Sequence, residues 1–219
     1  MARQKKPSGS DRRPGYESDI RRRSGVREPR DRLLVVCGAA VTEPAYLKGL
    51  RDYIANPAVT VKVAVKAAAP NQVVEYAKQL RNQDRNAFDE VWCVVDVDQF
   101  QDLQVARTSA KDVGIRLAIS NPCFEVWLLL HVADHKAHCG SYGELEPYLK
   151  RHIPHYDKTR IRFADYAAGL ADARIRAHRL DPSGLEYTKN PTTNVWQLVN
   201  RLTDGAKSQL RAQPRSTTT

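Results

Sequence analysis

In the segment 88-FDEVWCVVDVDQF-100, the apolar run Val91, Trp92, Cys93, Val94, Val95 ends on two acids, Asp96 and Asp98, one residue apart. Residues i and i+2 of a continuing strand point the same way, so both carboxylates could grip one hard cation. Two acids so close also need a compensating positive charge, for which Mg²⁺ or Mn²⁺ is suited. A D-x-D serves equally as a turn or helix cap with solvated carboxylates, and the pair alone leaves both readings open.

The elements that must position these acids are legible as alternating periods. Arg32 to Cys37 reads as a short buried strand. Glu43 to Ile54 reads as a helix with Tyr46, Leu47, Leu50 and Ile54 along one stripe, and Val59 to Val65 alternates like a strand with one wetter face. Pro70 suits a helix start, and Val73, Val74, Ala77 and Leu80 make its buried stripe. After the strand ending at Asp96 come a helix around Leu103 to Val113, a strand from Ile115 to Ile119, and a helix within 121-NPCFEVWLLLH-131. This alternation predicts an α/β fold, a mainly parallel sheet flanked by helices. Sites in such sheets form beyond the carboxyl ends of the strands. That edge should gather Asp96 and Asp98, the loop Gly38 to Thr42 with Glu43, and Ser120, Asn121 and Glu125.

Beyond Gly140 the pattern becomes helical, over Leu145 to Ile153, Phe163 to Leu180, and Trp196 to Leu210, the last preceded by Pro191 and a cap at Thr192 or Thr193. The expected organisation is a basic tail over 1–31, an α/β core over 32–139, a helical extension over 140–211 and a second tail over 212–219.

The chain of 219 residues carries a formal net charge of +10. Clustered Lys and Arg draw in phosphates by counterion release, so an anionic partner is expected. Much of the excess lies before Asp31, including the run Arg21, Arg22, Arg23 among Pro, Gly and Ser, a composition that cannot bury enough surface to offset its ordering entropy. The tail reads either as a solubilising segment or as a nucleic-acid-contacting arm. No apolar run approaches the ~20 residues of a membrane span, and the basic N-terminus lacks a secretory apolar segment, so a cytoplasmic protein with no membrane partner is expected. Cys37, Cys93, Cys123 and Cys139 show no framework spacing and read as reduced, mostly buried thiols. His131, His135, His138 and Cys139 would share one helix face, but four ligands on one helix cannot readily surround zinc tetrahedrally; His131 reads as the end of the core-facing WLLLH stripe. No phosphate-cradling G-x-x-x-x-G-K-[ST] is present, so ATP hydrolysis would belong to another subunit.

The segments 36-VCGAAVTEPAYLKGL-50, 89-DEVWCVVDVD-98, 117-LAISNPCFEVWLLLH-131 and 190-NPTTNVWQLV-199 resemble successive signatures of the RloB-like family, bacterial proteins with a Toprim-like domain linked to restriction and abortive-infection defence. The resemblance implies Mg²⁺-dependent phosphoryl transfer, with Asp96 and Asp98 as metal ligands and Ser120 and Glu125 as candidates for a second metal position. Lys158, in 155-HYDKTRIRF-163, falls on a family-like YDK and is a candidate basic contributor, or a surface lysine.

The sequence departs from the family pattern at the first strand. Where Cys-Glu-Gly is usual, Cys37 is followed by Gly38, so the expected Toprim glutamate is missing. Glu43 remains, either as a capping residue or as the working carboxylate, and Glu125 is the other substitute. A glutamate introduced at 38 would be expected to face Asp96 and Asp98. Two functions follow from the resemblance: a Mg²⁺- or Mn²⁺-dependent nuclease acting on DNA, with RNA left open, in anti-phage defence and beside an ATPase partner; or a catalytically silent nucleic-acid- or partner-binding module on the same fold.

Overall fold

Leu33 to Cys37 and Val91 to Val95 are buried on both faces, which places their strands at the centre of the sheet. The computed structural model describes residues 30–97 and 102–204; Arg21, Arg22, Arg23 and Asp98 lie outside the described residues. Strand β1 (Asp31–Cys37) lies between β2 (Val59–Val65) and β3 (Glu90–Asp96), and β3 pairs onward with β4 (Arg116–Asn121). These four strands are parallel. A two-residue strand, β5 (Thr192–Thr193), closes the order β2-β1-β3-β4-β5 and runs antiparallel to β4. The mainly parallel α/β sheet read from the sequence is therefore the fold.

The period of two sorts the strand residues into two layers. Leu34, Val36, Cys93, Val95 and Ile119 pack under α2 (Pro70–Gln83) and α3 (Leu103–Asp112) through Val73, Val74, Ala77, Ala106 and Ala110. Leu33, Val35, Cys37, Trp92, Val94 and Ala118 face the opposite layer, which includes α1 (Thr42–Ile54), α4 (Glu125–Val132) and α7 (Val195–Asp204). Residues 125–131 of α4 are all buried, a helix apolar on every side, because α5 (Tyr142–His152) and α6 (Leu170–Leu180) pack against it. The C-terminal helices thus share one core with the sheet. No helix among the described residues is long and apolar enough to cross a membrane.

Tyr46 of α1 organises this layer. Its ring meets Phe124, Trp127, His131, Phe163 and Tyr166 edge-on, with centroids 5.2 to 6.3 Å apart, a favoured aromatic geometry. His131 Nδ1 lies 2.9 Å from the Trp127 carbonyl and Nε2 lies 3.0 Å from the Tyr46 hydroxyl. The carbonyl can only accept, so Nδ1 carries the proton and Nε2 accepts from Tyr46. Burial lowers the His131 pKa to about 4. Its neutral ring therefore contributes stability that is complete above the ordinary value of 6.5 and lost as pH falls through 4.

Two local expectations differ from the structure. Helix α4 ends at Val132, so His135, His138 and Cys139 are not on one helix with His131; His135 Nε2 instead lies 3.1 Å from Cys139 Sγ. Phe163 and Tyr166 fit the spacing of a helical stripe, but they anchor two 3₁₀ turns over 163–169, and the α-helix begins at Leu170. At the junction position 169 has to be glycine, because a Cβ there would collide with the His131 carbonyl. Thr192 and Thr193 form the short strand β5, with Thr193 Oγ1 paired to Ser120 Oγ at 2.9 Å and Asn194 bonded to the backbone of Ile119, and from that strand Thr193 Oγ1 also accepts the N–H of Val195, the first residue of α7, at 3.3 Å. All four cysteines are free and buried.

At the amino ends of the strands, Arg201 of α7 bonds Glu90 of β3 at 2.6 Å and Asp31 of β1 at 2.7 Å, with its side chain only 8% exposed. Removing one partner from a buried ion network strands the others, so Arg201→Leu should destabilise the protein by about 3–5 kcal/mol in denaturant unfolding. A loss under ~1 kcal/mol would show that α7 is held by apolar packing alone.

Candidate functional site

Because β1 to β4 are parallel, the loops after β1, β3 and β4 emerge at one edge of the sheet. Glu43 lies in the first turn of α1 and Glu125 in the first turn of α4, each beside the partial positive charge of a helix N-terminus. Asp96 is the last residue of β3, paired in register with Ser120 of β4. Strand alternation puts it on the face of Trp92 and Val94, the layer that holds α1 and α4. Lys158 arrives from the segment after α5 and places Nζ 3.2 Å from Glu125 Oε1.

Glu43 and Glu125 are each 1% exposed. The Ala39 N–H donates to Glu43 Oε2 at 2.9 Å, whereas Glu43 Oε1 is buried without a hydrogen-bond partner among the described residues. Ala39 precedes the α1 N-cap, Val41, so this bond folds the carboxyl back over the loop and does not cap the helix. Burial drives the Glu43 pKa from the ordinary 4.5 up to about 8; the Ala39 amide pulls it down, Glu125 pushes it further up, and the Gly38 amide and Lys158 pull it down. Lys158 is held above its ordinary value although burial opposes its charge, because Glu125, then Cys123 and Asp96, favour the ammonium. The Lys158 ammonium also lies 4.1 Å from the centre of the Tyr142 ring.

The edge therefore joins Glu43, Asp96, Glu125 and Lys158 in one electrostatic unit, three carboxyl groups against one ammonium among the described residues. The side chains are not drawn together on a single point: among the described residues no three of His, Cys, Asp and Glu form a group that could hold a metal ion. Ser120 is fully buried with its hydroxyl on Thr193. Asp98, the second acid of the D-x-D, lies outside the described residues.

A side chain at position 38 would not face this unit, although the Gly38 amide acts on Glu43. The Gly38 N–H donates to the Val94 carbonyl at 2.9 Å, and a Cβ there would stand 3.1 Å from that oxygen and 3.6 Å from Val73 Cγ2, on the α2 side of the sheet. A glutamate at 38 would thus leave the backbone toward α2, away from the face of Asp96, contrary to the expectation from spacing. Gly38 is also not left-handed, so the obstacle is the Val94 carbonyl and not backbone strain.

Several supporting residues were not singled out in the sequence. Asn190 Nδ2 donates to Asn121 Oδ1 at 3.1 Å and to the Cys139 carbonyl at 2.8 Å, and its Oδ1 accepts the Cys139 N–H at 3.0 Å. This ties 121-NPC-123 to 190-NPTT-193, so the loop leading into Glu125 is fixed from the far end of the chain. The repeated Asn-Pro was the available signal. Tyr142 and Tyr156 back Lys158 and Glu125; Tyr156 is the first residue of the family-like YDK, whereas nothing in the sequence context of Tyr142 marks it.

Fold and site together define an α/β protein with buried carboxyl groups gathered at the carboxyl edge of a parallel sheet. The model of the family described as RloB-like protein matches residues 33–202, and the chain belongs to that family. No curated protein and no solved structure matches it.

The raised Glu43 pKa has a stability consequence. Between pH 4.5 and 8 the folded state keeps a proton that the unfolded chain releases, so this contribution is complete below about 4.5 and lost as pH rises through 8. In metal-free buffer, Glu43→Gln should flatten the fall in Tm between about pH 5 and 8.5. An identical fall in both proteins would place the Glu43 carboxyl in solvent.

Proposed function

We propose that this protein is a Mg²⁺- or Mn²⁺-dependent nuclease that hydrolyses phosphodiester bonds in DNA and serves in bacterial anti-phage defence beside a separate ATPase subunit. The observation that carries the reading is Glu43 Oε1, a buried carboxyl oxygen without a hydrogen-bond partner among the described residues, set beside Glu125 and within the field of Lys158. Buried carboxyl groups short of positive charge suit a divalent cation, for which Glu43 would exchange its proton. Asp96, Glu43 and Glu125, which the structure does not draw together on a single point, would have to close on it, with Asp98 as the further ligand that the D-x-D pattern supplies. When bound, the cation would acidify a water and neutralise charge on the phosphoryl oxygens.

The chain's own residues do the rest. Glu43 gives up the proton that its burial favours, so the site binds cations better as pH rises toward 8. Lys158, 46% exposed, can turn from Glu125 to a phosphate oxygen and carry positive charge to the group being transferred. Family membership supports the reading, and the net charge of +10 suits a nucleic-acid substrate.

A second reading, a catalytically silent nucleic-acid- or partner-binding module, has support of its own. The described carboxylates are not gathered tightly enough for an ion, and Glu125 is already engaged by Lys158. Cleavage assays on single- and double-stranded DNA and RNA with Mg²⁺, Mn²⁺ or EDTA, with and without a co-expressed ATPase, separate the two. Metal-dependent nicking of DNA is expected, slowed by ~100-fold or more in Asp96→Asn. Absence of cleavage on every substrate, with nucleic-acid binding intact, would replace the nuclease by the silent module.

A further inference from the structure

Strand β5 covers only Ser120 and Asn121 of β4, so the outer edge of β4 from Arg116 to Ala118 has no strand beside it among the described residues. Helix α3 lies on one face of that edge and α7 lies on the other. The gap between them is a cleft of about 680 Å³, within the roughly 300–1,000 Å³ of small-molecule sites. Its walls are built firmly. Asn194 holds β4 through the Ile119 N–H and the Leu117 carbonyl, and ties the loop after α6 to it through the Gly184 carbonyl. Asp181, 1% exposed, accepts the N–H groups of Gly184, Leu185 and Glu186 and so fixes the loop on the outer side.

The lining has two chemistries. Trp196 and Tyr187 present partly buried aromatic surface, and Gln197 and Asn200 add amide groups. Arg107, Lys111 and Arg116 add positive charge, and no Asp or Glu among the described residues lines the cleft. The Arg107 guanidinium lies 3.8 Å from the centre of the Tyr187 ring and donates to Gln104 Oε1, which leaves it stacked and oriented yet without a carboxylate partner among the described residues. Lys111 likewise has no carboxylate partner among them, whereas Arg116 has only a loose one, Glu90 at 3.8 Å. A flat aromatic group joined to an anion satisfies both chemistries at once: the ring stacks on aromatic surface and the anion takes the unspent cations.

We propose that this cleft is a binding site for a nucleoside phosphate, separate from the carboxyl edge. The cleft runs along β4 from Arg116 to Ile119, and its far end at Trp92 and Arg116 lies four register positions from Asp96 and Ser120 of the carboxyl edge, roughly 13 Å at about 3.3 Å per residue. The ligand is either a free nucleotide or one nucleotide of a single strand, and the chemistry recognised is the same. The proposal does not depend on any reaction at the carboxyl edge.

Tryptophan fluorescence reads the site, because Trp92 and Trp127 are buried and Trp196 is the partly exposed one. The full-length protein is titrated in EDTA with AMP, GMP, CMP and UMP, with a five-nucleotide single strand, and with adenosine and inorganic phosphate as the two halves. Saturable quenching by a mononucleotide or by the strand is expected, with each half at least ~10-fold weaker. The double substitution Arg107→Ala with Lys111→Ala, checked for an unchanged melting temperature, should weaken binding by ~10-fold or more. Equal affinity for mononucleotide and strand assigns the site to free nucleotides; binding of the strand alone assigns it to a strand segment. Failure of every nucleotide and of the strand to bind, or binding unaltered by the double substitution, overturns the proposal.

Discussion

The contact between Lys158 and Glu125 is the constraint on which the site depends. Parallel strands deliver their loops to one edge, and the sequence puts acids on three of those loops. Burying Glu43 and Glu125 there is unfavourable unless positive charge comes with them. Two helix N-termini supply part of it, and Lys158 supplies the one full charge among the described residues. Lys158 belongs to the segment after α5, so the C-terminal region completes the electrostatics of an edge that the first four strands create.

The same region closes the other polar sites of the sheet. Asn190 bridges Asn121 and Cys139, Thr193 takes the Ser120 hydroxyl, and Arg201 holds the amino ends of β1 and β3. Each is a polar group on a late element paired with one on an early strand. The arrangement accounts for the family match running from residue 33 to residue 202, through both the sheet and the helices that follow it.

Elements with a clear period were legible in the sequence. The buried runs at 33–37 and 91–95 marked the central strands, the alternation of 59–65 marked the half-exposed edge strand, and the stripes at Tyr46 and Val73 marked α1 and α2. What escaped was set by contacts distant in sequence. Strand β5 is two residues long and exists because Ser120 and Ile119 offer partners to Thr193 and Asn194, about 75 residues away. The close approach of Gly169 to His131, which leaves no room for a Cβ at 169, is another such distant contact. At the site, residue types and strand order named Asp96, Glu43 and Glu125 as candidates and the family resemblance added Lys158, but the expectation for position 38 overlooked strand alternation, which puts it with Leu34 and Val36 on the α2 face.

The central claim is that the buried carboxyl of Glu43 belongs to a cation site and exchanges a proton for the ion. Mn²⁺ titration calorimetry near pH 7, repeated in buffers of different ionisation enthalpy, counts the protons released on binding. The account predicts release of a large fraction of one proton per ion in the parent protein, almost none in Glu43→Gln, and weaker binding in that variant. Mn²⁺ binding of equal affinity and equal proton release in the two proteins would contradict it.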